Sequence, residues 1–523
     1  MLTRRPSPGL ETINSKGRHG AGYRVRRARF IRNLFKVLLV PLVIVGLILG
    51  FRMTISMIQP DANHLTILGH DGIPLTGATI TANNGRQAAS VEGGSAFIVF
   101  DTPTSLRVEA PGYNSATYTV QALPASGPLQ LQMEPLILHG RIVDQHGGGV
   151  VGAEVKIGEH KVVSAEFGLF EMIAAAPGTV EISKPTWEDT SFPWDGGAGR
   201  FDVEMGPFVV KGLRIWGHST TDSDYRELLR IADETVINAF VFDTKNEYGD
   251  VMYLSEDYEA FPMEAIINKY DVHQRLALVK EHGLYTVTRI VTFQDKFAAR
   301  SYPDRAILNS TTGEPWRNVQ GIAWMDPTDR ESWEYPIRLG IEACRFGFDE
   351  IQFDYARFPT DGDISVAVYD DPEAAATQEG RVETIAGFLT EARELINAEG
   401  CAVSADIFSI VLSVPNDQGI GQKIEELSGA VDVLSPMIYP SHYASGWLDL
   451  DIPNNYPERV IGEALQSGVL RLEGEAHIRP WLQAFGWSAD QVLEAIATAD
   501  EYGTGWLLWN WASEFEQDWI PGN

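Results

Sequence analysis

The chain of 523 residues contains only two cysteines, Cys344 and Cys401. Two cysteines are too few for a disulfide-stapled scaffold or a cysteine-ligated structural zinc site, and we expect both to be buried, inert thiols. Basic residues are also scarce beyond the N-terminus, because the chain after residue 52 has 30 Lys and Arg against 70 Asp and Glu. This excess of acidic residues repels the phosphate backbone of nucleic acids, so nucleic acid is not expected as a partner.

The signatures of several common catalytic classes are also missing. The sequence shows no Gly-rich phosphate-binding turn, no Ser in a nucleophile elbow and no His-x-x-x-His pair. It also lacks a His and Asp cluster of the kind that a metal-dependent deacetylase needs. No cofactor and no metal ion is therefore expected.

The one long apolar run lies near the N-terminus. The first 52 residues carry eleven Lys or Arg and one acidic residue, and the uncharged run Val37–Phe51 follows most of them. With the residues just before it, the run is about 18 residues long, enough to cross a bilayer as a helix. We expect a basic cytoplasmic tail over residues 1–33, an uncleaved signal anchor over residues 34–52, and an extracytoplasmic remainder. A cleaved signal peptide is the alternative, although Gly50-Phe51-Arg52-Met53 is not a small-x-small cleavage site.

Two stretches that follow this N-terminal segment repeat each other at a constant offset of 75 residues. The matching positions are Gly72, Gly77 and Ala78 in the first stretch and Gly147, Gly152 and Ala153 in the second. Short alternating runs between Gly, Pro and Asp turns predict a small β-sandwich over residues 62–135 and another over residues 136–208.

The first of these stretches has a family resemblance. Ile67–Ile80 and Leu106–Tyr113 resemble the carboxypeptidase regulatory-like (transthyretin-like) domain, and the second stretch resembles it more loosely. The resemblance is compatible with carbohydrate or wall binding. A spacer that lifts the rest of the chain off the membrane is the alternative.

From Lys211 onward, strands alternate with amphipathic helices. The predicted strands are Gly212–His218, Val236–Asp243, Leu284–Thr292, Phe348–Asp354, Ala402–Ile407, Val431–Tyr439, Ile478–Gln483 and Gly505–Trp511. Eight such strands predict a (β/α)8 TIM barrel over residues 211–523. An open doubly wound sheet is the alternative, and it would more naturally carry a Gly-rich turn after its first strand. The predicted fold class is α/β, a TIM barrel preceded by two small all-β sandwich modules and an N-terminal transmembrane helix.

The active site of a TIM barrel lies at the carboxyl ends of its strands. Carboxylates at separate strand ends suit acetal hydrolysis, because one protonates the leaving oxygen while the other attacks or activates water. We expect Asp354 and Asp406 to be this pair, with Asp406 as the acid and Asp354 kept ionised by Arg357 or Arg289, although the reverse order stays open. The residues predicted to bind substrate are Asp243, Lys245, Glu247, Arg289, Arg357, Tyr439, His442, Gln483 and Trp509.

A stretch without clear periodicity, residues 294–329, follows the third predicted strand. In a barrel, such an insertion usually builds a substrate wall or lid. Trp316 and Trp324 within it are predicted to be platforms on which sugar rings stack. A loop that merely plugs the barrel mouth is the alternative.

The region around Asp354 carries the most specific resemblance. Phe348–Pro359, together with Ser404-Ala-Asp406 and Ser435–Tyr443, resembles a bacterial glycoside-hydrolase domain family long classed as of unknown function. The resemblance implies a barrel that acts on polysaccharide, with no firm substrate. A chitinase-type mechanism is not supported, because Ala356 stands where that motif has its acidic Glu.

Two classes of function are left by the sequence. The first is a membrane-anchored extracytoplasmic glycoside hydrolase. The second is a catalytically inactive barrel that binds glycan or scaffolds envelope assembly. A distance beyond about 10 Å between the carboxylates of Asp354 and Asp406 would favour the second class.

Overall fold

The computed structural model describes residues 62–523 apart from 146, 217–221, 257–261, 473–475 and 504. The predicted cytoplasmic tail and signal anchor, residues 1–33 and 34–52, lie outside the described residues. Among the helices that are described, none is both long enough and apolar enough to span a bilayer.

The described chain forms two compact units. The first contains residues 62–138 together with Met172–Pro177 and Asp195–Ala198, and the second contains the remaining residues of the second β module and the barrel.

The first β module has seven strands in two sheets. Its strands are Asn63–Leu68 (β1), Thr79–Ala82 (β2), Gln87–Ala89 (β3), Ser95–Ile98 (β4), Thr104–Glu109 (β5), Ala116–Val120 (β6) and Leu129–Gln132 (β7). One sheet has the order β4-β1-β7 and the other β3-β2-β5-β6. Alternate residues of the strands are buried, as in β5, and inward-facing Leu65, Ile80 and Val108 share one core. This alternation is typical of a sheet with one buried face.

The second β module repeats this arrangement. Its strands are Ile137–Val143 (β8), Glu154–Ile157 (β9), His160–Val163 (β10), Leu169–Ile173 (β11), Gly178–Ser183 (β12), Thr190–Trp194 (β13) and Arg200–Glu204 (β14). The sheet orders are β11-β8-β14 and β10-β9-β12-β13, which correspond strand for strand to those of the first module. β-sheet modules therefore precede the barrel, and the repeat in the sequence is a repeat of topology.

The rest of the chain forms a parallel barrel. Its strands, with a separate two-stranded antiparallel sheet formed by β18 and β20, are Val210–Ile215 (β15), Ala239–Lys245 (β16), Tyr285–Val291 (β17), Leu308–Asn309 (β18), Glu350–Asp354 (β19), Ala367–Val368 (β20), Ala402–Phe408 (β21), Val433–Ile438 (β22), His477–Ile478 (β23), Trp481–Gln483 (β24) and Gly505–Trp509 (β25).

The barrel order is β21-β19-β17-β16-β15-β25-β24-β22, and a pairing of β21 with β22 closes the ring. Strands β23 and β24 both pair with β22 and form two pieces of the seventh barrel strand. The prediction of an eight-stranded parallel α/β barrel is confirmed, and the open-sheet alternative is wrong. The strands could be found because parallel strands are covered on both faces and read as apolar runs.

Nine α-helices are described. They are Asp222–Glu234 (α1), Val272–Glu281 (α2), Lys296–Ser301 (α3), Glu334–Phe346 (α4), Pro372–Ala376 (α5), Gln378–Asn397 (α6), Ile424–Leu427 (α7), Pro457–Leu470 (α8) and Ala489–Asp500 (α9). Local chemistry sets several of their ends. The carboxylate of Asp271 accepts from the backbone N–H of Gln274 at the start of α2, and Gly347 ends α4 with a left-handed backbone (φ 108°).

The prediction of two free thiols is wrong. Cys344, in α4, and Cys401, just before β21, form a disulfide with their Cα atoms 5.9 Å apart. The bond is possible because α4 leads into β19, and β19 is the neighbour of β21 in the barrel. The sequence separation of 57 between the two cysteines hides this closeness.

The second β module packs against the amino-terminal end of the barrel. The ring of Trp187 lies 5.0 Å from that of His477, where β23 begins, and the ring of Phe208 lies 5.2 Å from that of Tyr285, where β17 begins. These contacts are on the face opposite the carboxyl ends of the strands. The module therefore covers the base of the barrel and leaves the predicted site open.

Candidate active site

A cavity of about 590 Å³ opens at the carboxyl ends of the barrel strands. Its lining combines charged groups with an aromatic wall: Glu247, Arg289, Asp354, Tyr355, Arg357, Phe408, Ser409, Ile410, Met437, Tyr439, His442, Tyr443, Ala444, Trp447 and Trp509. Seven of the predicted site residues are among them. Rings that line a pocket beside carboxylates can stack on the apolar faces of sugars.

Arg289, at the end of β17, is the centre of the charged group. Its Nε and Nη2 donate to Oδ2 of Asp354 at 2.8 and 2.6 Å. Its Nη1 donates to Asp243 at 3.0 Å, and Nη2 also donates to Glu247 at 3.0 Å. A fourth carboxylate, Asp406, lies 3.8 Å from Nε. Four carboxyl groups therefore converge on one buried guanidinium.

A second buried arginine extends this network. Nη2 of Arg214, in β15, donates to Oδ2 of Asp243 at 2.6 Å. The guanidinium groups of Arg214 and Arg289 lie 4.1 and 5.2 Å from the ring centre of Trp509. Both oxygens of Asp243 are thus engaged by arginines. Asp243 positions these side chains and does not line the cavity.

Asp406 lies at the end of β21 and is 1% exposed. Its Oδ1 accepts from the indole N–H of Trp481 at 2.7 Å. Burial, followed by the neighbouring Asp354 carboxylate, raises the pKa of Asp406 well above its usual range, against the opposing effects of Arg289 and Trp481. This environment favours the protonated form of Asp406.

Glu247, in the loop after β16, has the opposite protonation preference. Although burial opposes ionisation, Arg289 and Arg214 hold the pKa of Glu247 below its usual range. The backbone of the same loop is fixed by a hydrogen bond from the Gln294 amide to the Glu247 carbonyl at 2.8 Å. Glu247 therefore presents an ionised carboxylate to the cavity.

The chain turns sharply directly after Asp354. Tyr355 adopts a left-handed backbone (φ 52°), which costs a non-glycine residue about 1–2 kcal/mol. In this conformation its N–H donates to Oδ1 of Asp354 at 2.7 Å. The backbone strain at Tyr355 thus accompanies a fixed orientation of the Asp354 carboxylate at the cavity floor.

Shared contacts with Arg289 limit the distances between the carboxylates. Oδ2 of Asp354 and Oδ2 of Asp406 lie 2.8 and 3.8 Å from the same Nε, so these oxygens are at most about 6.6 Å apart. Through Nη2, the nearest oxygens of Asp354 and Glu247 are at most about 5.6 Å apart. Both upper limits are compatible with the separation of about 5–5.5 Å between the paired carboxyl groups of retaining glycoside hydrolases.

Tyr439 and His442 occupy the loop after β22. Burial, and then Asp406, raises the pKa of Tyr439 well above its usual range, so the phenol keeps its proton. Burial lowers the pKa of His442, which favours a neutral imidazole. Both groups can donate or accept hydrogen bonds in the cavity without adding charge.

Two further predicted substrate-binding residues are placed away from the cavity. Nζ of Lys245 pairs with Asp295 at 2.6 Å, and neither side chain is exposed. The Gln483 side chain accepts from the backbone N–H of Ser441 at 3.1 Å and donates to Asn454, so it fixes the loop that carries His442. In this structure, their polar groups make contacts within the protein.

Trp316 and Trp324, which the sequence predicts as sugar platforms, are buried in this structure. Each is 1% exposed, and neither lines the cavity. The indole N–H of Trp316 donates to the carbonyl of Asp363 at 2.8 Å, and the ring of Trp324 packs against Tyr355. The insertion after β17 thus packs these rings into the main hydrophobic core of the barrel.

Several functional positions were missed by the sequence reasoning. Arg214 could have been noticed as a charge between the apolar residues Leu213 and Ile215 of a predicted strand. Trp481 gives no comparable signal. The wall residues Phe408, Tyr443 and Trp447 give no such signal, because aromatic residues after a strand are more often part of a core.

Among the described residues, no group of three or more His, Cys, Asp or Glu side chains is arranged to hold a metal ion. A comparison with curated protein sequences finds no match to this chain.

Solved structures similar to the chain include a hypothetical protein from Ruminiclostridium thermocellum ATCC 27405. It is 32% identical, with 37% of this chain and 96% of that chain covered and a TM-score of 0.33. The PgaB (BpsB) glycoside hydrolase domain from Bordetella bronchiseptica is 11% identical, with 58% and 95% covered and a TM-score of 0.42. The glycoside hydrolase domain of PelA from Pseudomonas aeruginosa is 11% identical, with 59% and 98% covered and a TM-score of 0.35.

A family model covers the barrel. The family described as "Putative glycosyl hydrolase domain" matches residues 212–515, which is more than half of the chain. The match does not extend to the β modules, whose resemblance to the carboxypeptidase regulatory-like domain stays a prediction. Through its barrel, the chain belongs to this glycosyl hydrolase domain family.

Proposed function

We propose that this chain hydrolyses glycosidic bonds in a polysaccharide outside the cytoplasm. The observation that carries the proposal is the pair formed by Asp354, at the cavity floor, and Asp406, whose pKa is raised and whose nearest oxygen is at most about 6.6 Å away. Acetal hydrolysis needs one carboxyl that gives a proton and one carboxylate that attacks or activates water. The membership of the barrel in a glycosyl hydrolase family supports the same reaction class.

Each carboxyl has a role in the proposed reaction. Asp406 gives its proton to the leaving glycosidic oxygen, and Asp354 acts as nucleophile or as base for water at the anomeric carbon. Asp406 does not itself line the cavity, so the glycosidic oxygen has to reach the floor beside Asp354 and Tyr439. Glu247 faces the cavity directly, but Arg289 and Arg214 hold its pKa below the usual range, so we assign it to substrate binding and not to proton donation.

A binding-only barrel is the alternative function. It would be favoured by carboxylates more than about 10 Å apart, since they could not act on one bond. The distance limit given above is shorter, so hydrolysis is the function we favour.

The function is tested by screening the purified full-length chain on a panel of envelope and exopolysaccharides and measuring new reducing ends. On a substrate that the parent cleaves, Asp354→Asn should lower turnover by at least roughly 100-fold. Asp518→Asn is the matched control, because Asp518 is exposed and lies outside the cavity. Near-full turnover by Asp354→Asn would place the chemistry elsewhere.

We also propose that residues 34–52 anchor the chain in the membrane with residues 1–33 in the cytoplasm. The basic flank and the apolar run support this orientation. The disulfide between Cys344 and Cys401 supports an oxidising compartment for the barrel. Before protease is added to spheroplasts, the whole chain should be bound to the membrane. Added protease should then degrade the part of the chain that follows the anchor. A soluble product trimmed at its N-terminus would contradict the anchor.

A further inference from the structure

Arg357 stands apart from the other arginines of the cavity. It lines the cavity and is 7% exposed. Its guanidinium carbon lies 4.7 Å from the ring centres of both Tyr355 and Phe408 and 5.1 Å from that of Trp324. Three rings therefore hold this flat group in place, and cation–π attraction favours its charged form.

Some of the N–H donors of the Arg357 guanidinium are not used within the described chain. Nη1 donates to the carbonyl of Phe358 at 3.0 Å and to Oγ1 of Thr360 at 3.5 Å. Nε and Nη2 have no hydrogen-bond partner in the described part of the chain, and no described carboxylate lies within 4.0 Å of the group. The sequence left open whether Arg357 or Arg289 pairs with Asp354, and in the structure Arg289 makes that pair.

A buried positive charge without a counter-charge is costly. Burial lowers the pKa of Arg357 from its usual value, and the more distant Asp354 and Asp361 only partly oppose this effect. The charges of Arg214 and Arg289, in contrast, are matched by carboxylates in direct contact. The wall of the cavity therefore contains a planar guanidinium group, that of Arg357, that has no carboxylate of the described residues in direct contact.

We propose that Arg357 forms a subsite for the carboxylate of a uronic acid residue, so that the substrate is an acidic polysaccharide. A guanidinium binds a carboxylate through two parallel N–H···O bonds, and Nε with Nη2 forms the free edge that this geometry requires. The rings of Tyr355 and Phe408 beside it offer apolar faces to the same sugar. The inference rests on the proposed function only in taking the cavity as the place where sugar binds.

Binding can be measured without turnover. The full-length chain is titrated calorimetrically with an oligosaccharide that contains uronic acid and with the same oligosaccharide after chemical reduction of its carboxyl groups to alcohols. The parent should bind the acidic form about tenfold more tightly or better, because a charge-assisted bidentate pair is lost on reduction. Arg357→Gln should bring the ratio of the two affinities close to one, and Arg357→Lys should give an intermediate ratio.

His442→Gln is the control for a general disturbance of the cavity, and it should keep the parent's ratio whatever it does to the two affinities. A sulfated, carboxyl-free oligosaccharide forms a third arm. Binding of that ligand as tight as that of the uronic form, with the same dependence on Arg357, would overturn the assignment to a carboxylate. Equal affinity of the parent for the acidic and reduced forms, or a ratio unchanged in Arg357→Gln, would overturn the subsite.

Two outcomes separate this inference from the proposed function. A different case arises if circular dichroism and thermal melting show that Arg357→Gln does not fold. The subsite is then tested by two measurements: the affinity ratio in Arg357→Lys, which should be intermediate, and the affinity ratio of the parent, which should fall as salt is added. Selective binding of acidic oligosaccharides without any hydrolysis would contradict the proposed reaction and support the subsite. Hydrolysis restricted to neutral glycans would support the proposed reaction and contradict the subsite.

Discussion

Asp354 and Asp406 approach the same atom, Nε of Arg289, at 2.8 and 3.8 Å. Asp354 receives the two short hydrogen bonds from this arginine, whereas Asp406 is left with a longer contact and an indole N–H. Two side chains of the same type are thereby placed in different environments, and burial keeps the proton on Asp406. Unequal environments are how a pair of carboxyl groups is divided into an acid and a base.

The first prediction is that Asp406→Asn stabilises the protein. In the fold Asp406 keeps a proton that the unfolded chain releases above pH 4, so this group costs stability as the pH rises toward its folded pKa. Asn cannot ionise, and its Oδ1 can still accept from Trp481. The free energy of unfolding of Asp406→Asn, measured by denaturant, should therefore exceed that of the parent by a gap that widens from pH 4 to pH 7. A gap independent of pH would contradict the protonation of Asp406.

The second prediction is that Asp354→Asn has the opposite sign. It removes the carboxylate that accepts two hydrogen bonds from buried Arg289 and leaves part of that charge unmatched. We expect a loss of about 1–3 kcal/mol in the free energy of unfolding. Asp406→Asn, measured in the same buffer, is the matched comparison. An equal or higher stability of Asp354→Asn would show that Arg289 does not depend on this contact.

The third prediction concerns the disulfide. It closes a loop with a sequence separation of 57, and the chain-entropy model gives a stabilisation of about 4 kcal/mol for such a loop. Reductant should lower the denaturant midpoint of the parent toward that of the Cys344→Ala, Cys401→Ala double variant and leave the double variant unchanged. A parent whose midpoint does not respond to reductant would contradict the pairing.

The fourth prediction is a pH dependence at the base of the barrel. Burial, with smaller effects of Lys184 and Arg479, lowers the pKa of His477 to about 4. The unfolded chain takes up this proton near pH 6.5 and the fold does not, so the contribution of His477 to stability is lost as the pH falls from about 6.5 to 4. We expect His477→Gln to lack this loss, which amounts to at most about 3 kcal/mol. The lowered pKa of His477 would be contradicted if the free energies of unfolding of the parent and of His477→Gln changed in parallel between pH 6.5 and pH 4.

The fifth prediction concerns the second β module. A fragment of residues 209–523 should fold cooperatively and keep its activity on soluble oligosaccharides, because Trp187 and Phe208 of the module contact the face opposite the cavity. It should melt at a lower temperature than residues 136–523, since it lacks Trp187 and Phe208, which pack against the barrel base. Equal melting temperatures would show that these contacts add nothing. A folded fragment without activity would mean that the module forms part of the site.

Particular residues show how far the sequence could predict this molecule. The barrel strands and the places of Asp354, Arg289 and Tyr439 follow from apolar runs and from the topology that collects their ends. Burial of individual polar and aromatic side chains does not follow. Like Asp354, Asp243 follows an apolar run in a barrel strand, but it contacts Arg214 and Arg289 and does not line the cavity. Trp316 is in an insertion whose packing the sequence does not reveal. The disulfide joins residues that only the closed barrel brings together.

The dependence of turnover on the leaving group tests the paired-carboxylate mechanism most directly. An activated aryl glycoside of the sugar that the parent releases needs no proton on its leaving oxygen, whereas the polysaccharide does. Asp406→Asn should lose at least roughly 100-fold on the polysaccharide and stay close to the parent on the aryl glycoside, while Asp354→Asn should lose activity on both. The same selective rescue in Glu247→Gln, and not in Asp406→Asn, would move the acid to Glu247. Full activity of Asp354→Asn on either substrate would contradict the mechanism altogether.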